Sequence, residues 1–258
     1  MGFQFDIFLQ SLVNGILIGG VYTRLFGLDP TISIIFVVPI MFGVGVFFQK
    51  TLISRVIGMP DETQILLTLG LSLLLINGAL LIMGADPRSI RTPYKFASLA
   101  IGPILITVPR LIAFSVAMVA SVVLWLFLSR TDLGRALRAV AEKPEVATLM
   151  GINSQKMHWL AFGIGSALAG LAGAVLTPFR YIFPAVGQSY VLIAFVIVVL
   201  GGMGSIPGAI LGAFLIGITE SLTSQYVALD LSMLGPFVLF VLILLFKPTG
   251  VLGKGKAY

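Results

Sequence analysis

The feature that most constrains this chain is a succession of apolar runs, each long enough to cross or nearly cross a bilayer. They fall at about 7 to 22, 31 to 49, 64 to 84, 109 to 129, 159 to 178, 189 to 222 and 231 to 247, and about 20 apolar residues suffice for one helical crossing. Within hydrocarbon only helices and closed barrels satisfy their backbone groups. A barrel strand alternates apolar and polar residues with period two, whereas these runs are apolar all round, so the spans read as helices. Composition leaves no room for a soluble fold: 58% of the 258 residues are apolar, 10% are charged and the mean hydropathy is +1.10. A soluble domain carries about 45–50% and about 25%.

The run from 189 to 222 exceeds one span and is interrupted by GGMGSIPGA, Gly201 to Ala209. Glycine and proline this dense cost more helix propensity than a single kink does, which predicts a helix, a break and a second helix. The expected fold is therefore all-α: a polytopic bundle of about eight membrane segments in one transmembrane domain, 1–258. Gly201, Gly202, Gly204 and Pro207 read in two ways. One is a tight turn at the cytoplasmic face. The other is unwound backbone lining a water-filled pathway or gate, since exposed backbone at membrane depth is tolerated only against protein or a cavity.

The net charge of +6 would suggest nucleic acid in a soluble protein, but in a membrane protein it reflects basic loops kept in the cytoplasm. Placing the long polar stretch 130–158 inside puts Lys50, Arg55, Arg130, Arg135, Arg138, Lys143, Lys156, Lys247, Lys254 and Lys256 there too. That leaves Arg24, Arg88, Arg91, Lys95, Arg110 and Arg180 outside. The start lacks the basic region and small-residue site of a cleaved signal and reads as a retained span. The outer loop, 84–110, has breaks at Thr92-Pro93 and Gly102-Pro103 with ILITV after the second, which predicts a short strand or hairpin.

Residues 130 to 153, RTDLGRALRAVAEKPEVATLMGIN, form the long polar stretch. Thr131 or Asp132 can cap a helix, in which Leu133, Ala136, Leu137, Val140 and Ala141 recur on one face with Arg135, Arg138 and Glu142 away from its centre. Pro144 can open a second short helix, and Gly151 suits a left-handed C-cap. Two such helices are either an interfacial connector or a docking element for a cytoplasmic protein.

The run Glu145-x-Ala147-x-x-x-Gly151 resembles the E-A-A-x-x-x-G coupling motif of bacterial ABC importer permeases, with Val146 in place of the first Ala. Around it DLGRALRAVAEKPEVATLMGIN, FGIGSALAGLAGAVLTPF, VVLGGMGSIPGAILGAFLIGITESL and FKPTGVLGK follow in order. Together with the N-terminal FLQSLVNGILIGGVY they resemble the branched-chain amino acid ABC permeases of the H type. That resemblance implies a permease subunit in the bacterial inner membrane. Its partners would be a second permease subunit, alike or different, two cytoplasmic ATP-binding subunits and an extracytoplasmic substrate-binding protein. It also implies a coupling surface at Asp132, Gly134, Arg135, Arg138, Glu145, Ala147 and Gly151. The sequence departs from the family after Tyr22: Thr23-Arg24-Leu25 lead at once to FGLDP at Phe26 to Pro30. Roughly one to two spans' worth of chain, with a family His, is thus absent, either left out of this sequence or lost in a shortened paralogue.

Other residues support transport over chemistry. Gly15 and Gly19, Gly208 and Gly212, and Gly163, Gly165, Gly170 and Gly173 give small faces for close helix packing. Glu220 is an acid in a late apolar block and calls for a wet or cavity-lining site. His158 beside Trp159 at the start of a span reads as an interface anchor. No phosphate-binding G-x-x-x-x-G-K-S/T is present, so no cofactor is expected on this chain and ATP would be bound by partner subunits. No cysteine and no paired catalytic groups argue against an enzyme or a metal site. A channel or gradient-driven transporter is the alternative function, but it would ordinarily want ionisable residues within the membrane, of which Glu220 is the one candidate.

Overall fold

The computed structural model describes residues 30–84, 86, 97–101, 104–181, 183–202, 204–227, 231–247 and 249–253. The first apolar run, Gly15, Gly19 and the junction after Tyr22 lie outside the described residues. The elements are α1 (Pro30–Thr51), a 3₁₀ turn (Ile53–Arg55), α2 (Asp61–Met83), β1 (Ser98–Ile101), β2 (Ile104–Thr107) and α3 (Val108–Arg130). There follow α4 (Asp132–Glu142), α5 (Pro144–Leu149), α6 (Ser154–Leu176), α7 (Val186–Gly201), α8 (Ile206–Tyr226) and α9 (Leu234–Phe246). The all-α expectation holds, with one small antiparallel hairpin where the outer loop predicts it: Ser98 pairs with Thr107 and Ile101 with Ile104.

Five of these helices are long and apolar enough to span: α1, α2, α3, α6 and α8. The 16 residues of α7 and 13 of α9 rise about 24 and 20 Å at 1.5 Å per residue, short of a hydrocarbon core of about 30 Å. The chain is therefore a multi-pass membrane protein in which two of the described apolar helices are abbreviated. Helix ends reach beyond the apolar runs where polar residues favour them. Thus α2 begins at Asp61, before the run at 64, because Asp61 and Glu62 suit the positive end of a helix. Gln64 Nε2 also donates to the carbonyl of Met59 at 2.6 Å.

The described chain forms two compact units that divide between Val191 and Leu192, inside α7. In the first, α1 packs along α6 through residues with little or no side chain. A Cβ on Gly163 would stand 2.8 Å from Val46 Cγ2, and one on Gly170 3.0 Å from Met41 Cβ and 3.1 Å from Val37 Cγ1. Val37, Met41, Ala169 and Ala174 are buried along this seam. Small residues are used here because lipid is as apolar as leucine, so helices associate by close van der Waals approach. At one end of the seam Trp159 Nε1 donates to Ser54 Oγ at 3.0 Å, and the Lys50 ammonium lies 5.4 Å from the Trp159 ring centre. None of the apolar window of α3 is buried within the chain.

In the second unit Val196, Leu200 and Ile216 form the core, with Ile193, Leu239 and Phe240 against them. Here α7 and α8 meet backbone to backbone. A Cβ on Gly201 would stand 2.6 Å from the amide of Ala209, and one on Gly212 2.7 Å from the carbonyl of Ile197.

Overfilling the first seam should show in stability. Gly170→Val is expected to cost about 1–3 kcal/mol, the usual penalty of overpacking, and to lower the thermal midpoint in detergent. Gly43→Ala, which meets nothing within 4 Å, should leave that midpoint unchanged or raise it.

Candidate functional site

The polar stretch 130–153 is a jointed platform fixed by backbone geometry. Thr131 ends α3 and starts α4 with a single hydroxyl: Oγ1 donates to the carbonyl of Phe127 at 2.6 Å and accepts from the amide of Gly134 at 3.0 Å. Of the two capping residues the sequence allows, Thr131 is the cap. Asp132 instead occupies the first turn, where its charge suits the helix dipole, and pairs with Arg135. Both members of that pair are exposed, so it adds little. Gly134 is buried, and a Cβ there would stand 2.5 Å from Leu128 Cα. The fold of α4 back onto the end of α3 therefore depends on glycine at this position.

This close approach corrects the expected apolar face of α4. Val140 is buried and Ala136 and Leu137 are half-buried, but Leu133 and Ala141 are exposed, because α4 is seated by the side that carries Gly134 rather than by the centre of its apolar stripe. Beyond it, Pro144 stands in the first turn of α5. Gly151 has φ +83, its amide donates to Thr148 O at 3.0 Å, and the amide of Ile152 donates to Ala147 O at 3.0 Å. This is the paired Schellman closure of a helix by a left-handed residue. Asn153 Oδ1 then accepts from the amide of Lys156 at 3.0 Å and caps α6, while Thr148 Oγ1 and Ser154 Oγ lie 2.7 Å apart.

The platform presents a distinct tip. Ala147 is 4% exposed and seats α5, whereas Val146, Leu149 and Met150 are 51%, 86% and 79% exposed, with Glu145 and Arg138 exposed beside them. Thus Gly134 and Ala147 of the predicted coupling set are seating positions. Gly151 is a cap, and Asp132, Arg135, Arg138 and Glu145 lie on the accessible surface.

The chain turns tightly between α7 and α8. Gly202 and Gly204 have φ of +97 and +86, Pro207 lies in the first turn of α8, and Ser205 Oγ accepts from the amide of Gly208 at 3.1 Å. The chain after α9 closes over this turn: the amides of Val251 and Leu252 donate to the carbonyls of Leu200 and Gly201 at 2.7 and 3.2 Å. Lys247 Nζ donates to Val251 O at 2.7 Å and holds the strap in shape. Sequence reasoning missed this contact, and Gly250, at φ +81 against Gly202, is the one signal that could have pointed to it.

Glu220 stands apart from both features. It lies 14 residues after the start of α8, about 21 Å along the helix at 1.5 Å per residue. There the aliphatic part of its side chain borders a small, wholly apolar cleft formed with Ile193, Val196, Ile216, Met233, Pro236 and Phe237. An uncompensated charge at the centre of a span costs about 2.5–3.5 kcal/mol by insertion scales, so its position calls for a partner or water. Among the described residues no group of three or more His, Cys, Asp or Glu could hold a metal.

Comparison with known proteins adds the following. The family described as branched-chain amino acid transport system, permease component, matches residues 7–245. A high-affinity branched-chain amino acid transport system permease protein of Pseudomonas aeruginosa is 38% identical over 192 residues, 72% of this chain and 62% of that protein. The protein of the same description from Escherichia coli is 39% identical over 150 residues, 58% of this chain and 49% of its own length. A probable branched-chain amino acid transport permease protein of Methanocaldococcus jannaschii is 30% identical over 243 residues, 89% of this chain and 76% of that protein. The chain thus spans half to three-fifths of the first two relatives. No solved structure matches it.

The caps of the platform are separable by substitution. Thr131→Ala removes a helix cap worth about 1 kcal/mol, and should raise amide hydrogen exchange across 132–142 about fivefold. Gly151→Ala forces a Cβ into the left-handed region at a cost of roughly 1–2 kcal/mol. Its effect should be confined to 144–153, and a uniform change along α3 in either variant would contradict this assignment.

Proposed function

Because the chain belongs to the branched-chain amino acid transport system permease family, we propose that it is a membrane subunit of an ABC importer for branched-chain or related amino acids. In that role it performs no chemistry of its own. Two cytoplasmic ATP-binding subunits hydrolyse ATP, a second permease subunit completes the pathway, and an extracytoplasmic binding protein delivers the substrate.

The observation that carries this reading is the tip of α5. Three large apolar side chains, Val146, Leu149 and Met150, stand exposed on a helix opened by Pro144 and closed at its C-terminal end by the hydrogen bonds at Gly151 and Ile152. A capped helix that displays apolar residues from a polar loop suits an apolar groove on another protein. Glu145 and Arg138 at its edge would set the orientation of docking more than its strength.

The mechanism follows from the joints. Closure of the ATPase pair would press on α5. Thr131 and Gly134 fix α4 to the end of α3, and Gly151 with Asn153 fixes α5 to the start of α6. Movement of the tip would thus pass by backbone connections into two full-length spans, and α6 would carry α1 with it along their close seam. The Gly201–Pro207 turn with its C-terminal strap would act as an inner gate.

Affinity purification of the tagged chain with its partners from mild-detergent membranes tests the docking surface. Met150→Asp should lower recovery of the ATP-binding subunit at least tenfold while recovery of the second permease is kept. Equal recovery of the ATP-binding subunit in variant and wild type would place the docking site elsewhere.

A further inference from the structure

The C-terminal end of α7 is closed from two sources. Gly202, at φ +97, turns its amide back to the carbonyls of Val198 and Val199 at 3.0 and 3.2 Å, the closure of a helix by the left-handed residue that follows it. That amide does not serve the last two carbonyls, of Leu200 and Gly201. They accept instead from the amides of Val251 and Leu252, each 51 positions further along the chain. A helix leaves its final carbonyls open, and two of them here depend on a segment that belongs neither to α7 nor to the turn after it.

That segment is built to separate. Its shape is its own: the Gly250 amide donates to Lys247 O at 2.9 Å, and Lys247 Nζ donates to Val251 O at 2.7 Å, bonds that do not involve α7. Its contact with the turn is backbone on backbone. Gly250 and Gly253 lie against Gly202, and glycines carry no side chains to interlock. Val251 is half-buried against the core of Val196, Leu200 and Ile216, whereas Leu252 is 44% exposed.

We propose that residues 249–253 are a releasable latch. Seated, they cap α7 and hold the α7–α8 turn shut; withdrawn about the end of α9, they leave the turn able to open. This rests on the inner-gate role given to the turn above and supplies that gate with its lock. Withdrawal strips the Leu200 and Gly201 carbonyls of their donors, which hydrocarbon does not tolerate and water does. The latch therefore lifts only in a state where water reaches the turn, so its release and the hydration of the gate are one event. Gly250 is the position that lets the latch seat: its φ is +81, and a Cβ there would stand 2.6 Å from both Val199 O and Gly202 N.

The test uses the transporter assembled with its ATP-binding subunits and binding protein in proteoliposomes. Wild type and Gly250→Ala are compared, with Gly217→Ala, where a Cβ meets nothing within 4 Å, as the control. Leucine uptake with ATP and leucine leak without it are measured. Amide hydrogen exchange, which reports local opening, is read over 198–206 and 247–253 without nucleotide and with ATP plus vanadate. In the wild type the amides of Val251 and Leu252 are expected to differ at least tenfold in exchange between the two states. Gly250→Ala should exchange fast in both and leak leucine at least tenfold faster than wild type, while Gly217→Ala matches wild type. Equal protection of Val251 and Leu252 in both states of a wild type that transports overturns the latch and makes the strap a permanent clasp. A Gly250→Ala protein that exposes the strap without raising the leak overturns it as well. A wild type that takes up no leucine with ATP removes the importer reading, and the latch falls with its gate. If Gly250→Ala does not assemble or keeps the strap protected, the exchange comparison within the wild type decides.

Discussion

Satisfaction of backbone polar groups in a solvent that offers none governs this protein from its spans to its loops. A helix meets the demand along its length but leaves four amides and four carbonyls open at each pair of ends, and an unmet group in hydrocarbon costs several kcal/mol. The ends described here are closed by specific devices. One threonine hydroxyl serves two helices at Thr131, a left-handed glycine closes α5 at Gly151, Ser205 caps α8, and a returning strap supplies donors to Leu200 and Gly201. These devices lie in the polar segment and the α7–α8 turn.

Glycine answers a second demand of the same solvent. Helices in lipid gain little by hiding apolar area from one another, so they gain by approaching closely. The approach is most complete where a side chain is absent, as at Gly163 and Gly170 on α6 and at Gly201 and Gly212 in the second unit. Hydroxyls within these spans bond mostly to carbonyls one turn back on their own helix, as Thr68, Ser115, Thr177 and Thr219 do. They satisfy themselves without tying one helix to another, which leaves packed helices free to slide or separate.

Much of this was legible in the sequence because hydropathy reports where hydrocarbon lies and Gly/Pro density reports where a helix must stop. The spans, the α7–α8 break, Pro144 and Gly151 all follow from those two signals. Helix ends were less legible, since α2 starts among polar residues at Asp61 and α9 starts at Leu234, three residues inside its apolar run. Hydropathy is blind to caps. Least legible were contacts between distant residues: Trp159 on Ser54, 105 positions apart, and the strap on the turn. These depend on which backbones come together, and no local pattern encodes that. The exposure of Leu133 is a related case, because periodicity gives the apolar stripe of α4 but not the side by which a neighbouring backbone seats it.

The two parts of this chain are held by contacts of different kinds. The segment 130–153 is held by short-range hydrogen bonds at Thr131, Gly151 and Asn153. In the second unit the contacts are of another kind: side-chain-free helix faces and an apolar core of three buried residues. Packing of that sort has two stable arrangements more readily than a continuum of them. Under the importer reading proposed above, the hydrogen-bonded polar segment would receive the push of a partner and the second unit would be the part that yields.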